Sequence, residues 1–260
     1  LQPAGEPPSP RAAHAAATVG AMLVVQGGIG PAGLTTDDLH VLDFTSDGQP
    51  KWHRLLLSGP GPGARYAHVL GVVALRFLVA VGGSDSRNPL ADAWALDTAE
   101  KPYYWQKVEQ EGDVPSARMY ATACQRDDGL LMMLGGRDAS GSSLPDAYGL
   151  VRHGDGRWEW YNVGRAAPMP HPRYQHAAAY VGKRLHVYGG ALGGGRHVPP
   201  AASVMLLDNS AESARWETLG EEAVGVLGDD LRRCRMGVSA VGPFVFMYGG
   251  LRGPNLLDDV

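Results

Sequence analysis

Five arginines recur in one phase of this 260-residue sequence: Arg11, Arg65, Arg118, Arg173 and Arg233. A guanidinium is a planar, permanently charged fork that matches a carboxylate or phosphate two hydrogen bonds at a time. Equivalent positions of a circular repeat would form a ring, and a ring of such groups could hold an anionic partner. The bland alternative is that each arginine pairs with an acid of its own unit, such as Asp38, Asp92 or Asp146. The residues alone leave both open. Arg137, Arg196 and Arg252 stand just beyond glycine doublets, in loops that could line one face. These eight arginines are the candidate partner-binding residues.

Three histidines, His14, His68 and His176, each stand three residues after one of the repeated arginines. Zinc needs ligands about 2 Å away that converge on one point. Equivalent positions in separate units lie too far apart for that, so hydrogen-bonded core histidines are expected, with no metal site and no cofactor. No spacing supports a Ser-His-Asp or Cys-His nucleophile, and no catalytic residue is assigned. Tyr66, Tyr120 and Tyr174 follow the repeated arginines and are explained by the period rather than by a tyrosine–copper centre.

The elements that position these residues show in the glycines. Doublets at Gly27-Gly28, Gly82-Gly83, Gly135-Gly136, Gly189-Gly190 and Gly249-Gly250 are spaced 55, 53, 54 and 60 residues apart. Each closes an apolar run: Met22 to Gln26, Phe77 to Val81, Leu130 to Leu134, Leu185 to Tyr188 and Phe244 to Tyr248. Such runs read as strands buried on both faces. After a loop of variable length come an acid and another apolar run, as in Asp38 to Asp43, Asp92 to Asp97 and Asp146 to Leu150; the fourth unit has Ser203 to Asp208 instead. A tryptophan follows each: Trp52, Trp105, Trp158 and Trp216. Each of the first four units therefore holds four short strands, with the tryptophan opening the last and filling the wedge between neighbours.

The composition agrees. There are 36 Gly and 19 Pro alongside 44% hydrophobic residues, the mixture that frequent turns between short strands require. A net charge of -4 does not suggest nucleic acid or an anionic membrane as a partner. The apolar stretch from Val69 to Val81 is broken by Arg76 and is too short for a membrane span. Two cysteines, Cys124 and Cys234, are too few for a secreted disulfide scaffold and read as buried thiols in a reducing compartment. No signal peptide is visible, and Leu1 in place of Met suggests a missing N-terminus.

A unit of about 50 residues with four strands, a glycine doublet and a later tryptophan resembles the kelch repeat. The expected fold is an all-β, kelch-type β-propeller in a single domain over residues 1–260. Its units run from about 11–62, 63–116, 117–170 and 171–231, with a partial unit over 232–260 and six blades when complete. Gly220 to Leu231 reads as a long loop or partly disordered insertion that stretches the last period. Longer strings sharpen the resemblance. They include Pro10-Arg-Ala-Ala-His-Ala-Ala, Asp92-Ala-Trp-Ala-Leu-Asp-Thr98, Pro172-Arg-Tyr-Gln-His-Ala-Ala178 and Gly189-Gly-Ala-Leu-Gly-Gly-Gly-Arg196. Together they are similar to the kelch region of the plant and algal kelch-repeat serine/threonine phosphatases of the brassinosteroid-signalling type. Met236 and Ala121 depart from it where other units have His.

That resemblance implies a parent protein with a separate metallophosphatase half that uses two metal ions. None of its metal-binding strings occurs here, so the chain itself is expected to be no enzyme. The implied role is a platform that recruits or positions phosphoprotein partners, kinases of the brassinosteroid pathway among them, for a tethered phosphatase in the cytoplasm or nucleus. By the same resemblance, arginines at such positions hold acidic peptides. A kelch enzyme or specifier with a site of its own, and an autoregulatory or dimerising domain, are the alternatives.

Overall fold

The structure is a computed structural model that describes residues 2–45, 48–163, 169, 171–199, 202, 204–208, 215–218 and 231–260. Gly220 to Leu231 lies outside the described residues except for its last residue. The chain divides into two compact units. One comprises residues 1–119, 127–131 and 150–160; the other comprises 120–126, 132–149 and 161–260, so the division falls inside the third repeat. No α-helix occurs among the described residues, and none is long and apolar enough to cross a membrane.

In the first unit, two repeats each form a four-stranded antiparallel sheet in chain order. The first is Ala15–Val19, Met22–Gln26, Leu39–Asp43 and Lys51–Leu55. The second is Val69–Val73, Phe77–Val81, Ala93–Asp97 and Trp105–Lys107. Alternate side chains of the two sheets pack against each other: Val24, Leu39 and Val41 of the first meet Leu70, Val72, Leu78, Ala80, Leu96 and Trp105 of the second. The opposite faces of the second sheet's inner strands are also covered, with Val79 and Val73 fully buried. That is why the runs before the doublets are apolar at consecutive rather than alternate positions.

The second unit repeats the pattern with Ala177–Val181, Arg184–Tyr188, Val204–Asp208 and Arg215–Thr218. The third repeat, divided between the two units, has the strands Thr122–Gln125, Leu131–Leu134, Ala147–Arg152 and Trp158–Asn162. The fifth supplies the hairpin Gly237–Val241 and Phe244–Tyr248. Its second strand departs from the expectation of burial on both faces. Phe244, Phe246 and Tyr248 are more than half exposed, because among the described residues only the opposite face, with Val245 and Met247, is packed, against Ala177, Tyr188 and Val204 of the fourth repeat.

The tryptophan of the third repeat is also displaced from its expected place. Trp52, Trp105 and Trp216 each sit across from the leucine at the end of the third strand, Leu42, Leu96 and Leu207. A glycine lies against the carbonyl of Trp52 in the first repeat, and in the third the corresponding glycine, Gly112, lies against that of Trp160. Trp160 therefore holds the repeated position, buried with its indole N–H donating to Gln110 Oε1 at 2.8 Å. Trp158 instead meets Phe77 edge-on.

Tight hairpins join the first two strands. Gly20, Gly182 and Gly242 take positive φ in three of them. The second repeat turns instead through Ala74 and Leu75, at φ 51° and 56°. A side chain in the left-handed region costs about 1–2 kcal/mol, and Leu75 is exposed and gains nothing by packing. Leu75→Gly is expected to raise stability by about 0.5–1 kcal/mol after glycine's larger unfolded-state entropy is offset. A higher urea midpoint at unchanged slope is the reading that checks it.

Candidate functional site

The repeated arginine and the glycine doublet are parts of one joint. The arginine's guanidinium donates to the first glycine carbonyl of its own repeat. The bonds are Arg11 to Gly27 at 3.1 Å, Arg65 to Gly82 at 2.9 Å, Arg173 to Gly189 at 2.9 Å and Arg233 to Gly249 at 3.0 Å. The arginine's own carbonyl accepts from the second glycine N–H of the preceding repeat. Gly28 donates to Arg65, Gly83 to Arg118, Gly136 to Arg173 and Gly190 to Arg233, at 2.8–3.0 Å. A Cβ on Gly83 would strike the Tyr66 carbonyl and the backbone of His68, and its φ is +85°. Only glycine admits both the approach and the conformation. The interval of 16 or 17 residues between arginine and doublet is thus the reach of one guanidinium across one hairpin.

These bonds place most of the predicted ring inside the protein. Arg65, Arg118, Arg173 and Arg233 are buried, and Arg11 is half-buried. Arg65 is 2% exposed and bonds both oxygens of Asp92 at 2.8 and 3.0 Å, as well as the Pro62 carbonyl. Arg233 grips Asp259 in the same way at 2.7 and 2.8 Å. Burial alone would raise the Asp92 pKa; the Arg65 and Trp94 hydrogen bonds outweigh it and hold the carboxyl below its ordinary value. Arg118 bonds the carbonyl and hydroxyl of Ser116. Arg11 bonds Thr35 and Ser9, while Asp38 is held by Arg54 and Thr36. Arg173 has no carboxylate partner among the described residues and uses the His171 carbonyl and Met205 sulfur, and burial lowers its pKa to about 10. Of the two roles left open by the residues, pairing inside the repeat is the one Arg65 and Arg233 make.

The histidines differ from expectation. His14 is exposed. His68 and His176 are core residues, yet neither ring nitrogen of either has a hydrogen-bond partner. Their Cε1 atoms lie against the first glycine of a doublet, Gly27 and Gly135. They pack as apolar rings against backbone that leaves no acceptor within reach.

A different cluster gathers free donors. Two residues after each repeated arginine the chain takes a left-handed conformation without glycine. These residues are Ala13, Ala67, Tyr120, Gln175 and Arg235, at φ 53–60°. Five strained non-glycine residues at one repeated position are a pointer to function. In the second unit they link in series: Gln175 N–H donates to the Tyr120 carbonyl at 3.1 Å, and Arg235 N–H to that of Gln175 at 2.9 Å. Their side chains line a pocket of about 440 Å³ with Tyr174, Arg137, Arg196 and His197.

Three arginines line this pocket and no carboxylate does. The Arg137 guanidinium lies over Tyr120 and Tyr174, 5.2 and 5.3 Å from the ring centroids. The stacking holds the fork in place, while its buried Nε has no hydrogen-bond partner. His197 Nε2 accepts from the Gly253 N–H at 3.0 Å, which puts the proton on Nδ1, a buried donor with no partner. Of the eight candidate arginines, Arg137 and Arg196 are in this pocket. Arg252 lies in the neighbouring short strand Gly250–Arg252 and does not line it. The sequence reading missed Arg235, Gln175 and the placement of Tyr120. Their signal was the second residue after the repeated arginine, alanine in two repeats and large in three.

Comparison with known proteins agrees with this architecture. A family model described as the KLHDC2/KLHL20/DRC7 kelch-repeats domain matches residues 1–150 and 100–260. The serine/threonine-protein phosphatase BSL2 of Arabidopsis thaliana is 54% identical over 274 residues, covering 100% of this chain and 26% of that protein. Adagio-like protein 3 of Oryza sativa subsp. japonica is 28% identical over 241 residues, covering 92% of this chain and 38% of the relative. Kelch domain-containing protein 2 of Bos taurus is 35% identical over 133 residues, covering 51% of this chain and 31% of its own length. The chain thus spans about a quarter to two-fifths of these relatives. With that family model matched along the chain, the chain belongs to the kelch-repeat family, with the all-β fold of a kelch β-propeller.

Proposed function

We propose that this chain is the protein-interaction region of a kelch-repeat serine/threonine phosphatase, and that it recruits or positions phosphoprotein partners for a tethered catalytic half. The likeness to BSL2 supports the phosphatase parent, whose catalytic half would carry the two metal ions. Kinases of brassinosteroid signalling, in the cytoplasm or nucleus, are the partners this reading favours. Anionic groups of the partner bind in the pocket of the second unit. The observation that carries this is its lining: three arginines, no carboxylate, and a stacked Arg137 whose buried Nε lacks a hydrogen-bond acceptor.

A charge-assisted hydrogen bond to a buried guanidinium contributes about 1.5–3 kcal/mol, or roughly 10- to 100-fold in affinity. A phosphoserine peptide is therefore expected to bind more tightly than its unphosphorylated form, and Arg137→Met to remove the difference. Methionine keeps contact with the two tyrosines, so the fold is retained. Titration of both peptides against both proteins checks this; equal affinity of the two peptides for the unaltered chain sinks the assignment.

A further inference from the structure

The outer edge of the second blade is open where the same edge is closed in the first and third. In the first blade the segment that leads to the repeated arginine runs back, parallel, along that blade's own last strand. Ala4 N–H donates to the Pro50 carbonyl and Trp52 N–H to the Ala4 carbonyl, both at 2.8 Å. In the third, Gln110–Gly112 pairs parallel with the Trp158–Asn162 strand, and Asp113 N–H donates to the Trp160 carbonyl at 2.9 Å. Gly5 and Gly112, each six residues before the repeated arginine, lie against the tryptophan carbonyl.

The same register places Gly59 six residues before Arg65 and aligns Ser58 with Tyr104. That pairing is absent. A Cβ on Gly59 would meet nothing within 4 Å, and Trp105–Lys107 is bonded to the sheet on one side only. Pro60 stands where Asp113 stands in the third blade, so the bond that Asp113 N–H makes there has no donor here. Between Ser58, Gly59 and Pro60 on one side and Tyr104 to Lys107 on the other lies a cleft of about 690 Å³.

Backbone geometry says what the cleft offers. Val108 N–H donates to the Ala93 carbonyl at 2.9 Å. Antiparallel pairs alternate, so Gln106 turns its backbone groups inward, and Trp105 and Lys107 turn theirs to the cleft. Neither has a backbone partner there among the described residues. An exposed row of such groups is a template for another strand.

A second cleft, of about 490 Å³, adjoins the same edge. In it Arg152 lies 4.2 Å from the Phe77 centroid and 5.7 Å from that of Trp158, and its buried Nε has no hydrogen-bond partner. Its neighbour Arg76 is already engaged by Asp97 and Glu100. Arg152 and Lys107, which also lines this cleft, are therefore the cations at this edge with no carboxylate bonded to them among the described residues, and Arg152 is the one held by stacking.

We propose that the open edge of the second blade accepts an extended segment of a partner protein as a fifth, parallel strand, one acidic side chain of which meets Arg152. Main-chain bonds to Trp105 and Lys107 supply affinity, and the two flanking clefts select alternate side chains. The chain's own segments in the first and third blades are the templates for this occupant. The surface is separate from the Arg137 pocket and does not depend on it.

The probe is a synthetic peptide with the sequence of residues 108–115, the acidic segment that closes the third blade. A second peptide carries N-methyl groups at alternate residues and cannot complete the ladder. The first is expected to slow hydrogen exchange at the Trp105 and Lys107 amides of the full chain. The methylated peptide is expected to bind at least tenfold more weakly, and Arg152→Gln to weaken the first peptide several-fold while leaving exchange elsewhere unchanged. Equal binding of the two peptides overturns the proposal, as does the absence of protection at Trp105 and Lys107. Protection that grows with protein concentration alone overturns it in favour of a second copy. Arg137→Met leaves the result unchanged, so failure here is distinguishable from failure of the pocket reading.

Discussion

Arg65→Met is expected to lower the stability of the chain by about 3–4 kcal/mol, the cost of removing one partner from a buried ion pair and its hydrogen bonds. Methionine fills much of the volume but supplies no donor. Its introduction strands three acceptors at once: the Gly82 carbonyl, the Pro62 carbonyl and the Asp92 carboxylate. Asp92 retains some contact with water and still accepts from the Trp94 indole, which sets the loss near the lower end of the range for a broken buried pair. The joint also reaches outside its own repeat, because the Arg65 carbonyl receives the Gly28 N–H of the repeat before it. A urea titration of the full chain reads the effect. Adding Asp92→Leu is expected to recover part of it, since the orphaned charge is then gone. A loss below about 1 kcal/mol in the single variant would refute the structural role given to this arginine.

Acid is expected to unfold the chain earlier than its carboxylates require, through His68 and His176. Burial, with Arg65 and His14 adding to it at His68 and Arg173 at His176, lowers both pKa values from 6.5 to about 3. Between those values the unfolded chain binds protons that the folded chain refuses, so stability falls as pH drops below about 6.5 and goes on falling toward 3. It is fully present above that window. Each histidine contributes a slope of up to about 1.4 kcal/mol per pH unit. The Asp92 carboxyl, held below its ordinary 3.8, withdraws its contribution only at lower pH, so the window from about pH 6 to 4.5 separates the histidines from that carboxylate; burial also lowers the pKa of His14, His40, His171 and His186, which add to the slope there. Denaturant midpoints across that window measure the slope. His68→Leu is expected to reduce it by about one proton's worth; an unchanged slope would mean that the imidazole already titrates freely in the folded state.

A good deal of this was legible in the sequence. Met22–Gln26, Phe77–Val81 and Phe244–Tyr248 begin and end as strands where their apolar runs do, because strand formation and turn chemistry depend on neighbours along the chain. The doublets, the phase of the arginines and the fold class follow from repetition, which needs no coordinates. Trp158 was misplaced by one pleat because a Trp-Glu-Trp string offers two side chains on one face, and only register chooses between them. Arg65 and Arg137 carry the same guanidinium, and nothing local separates them. One points at a carbonyl a hairpin away and is buried; the other lies across two tyrosines of its own unit and keeps its Nε donor free. The sequence determined by itself that arginines, glycines and short strands recur together. The tertiary structure alone decided which arginines close the repeats and which face a pocket, because that depends on where backbone carbonyls from distant parts of the chain come to lie.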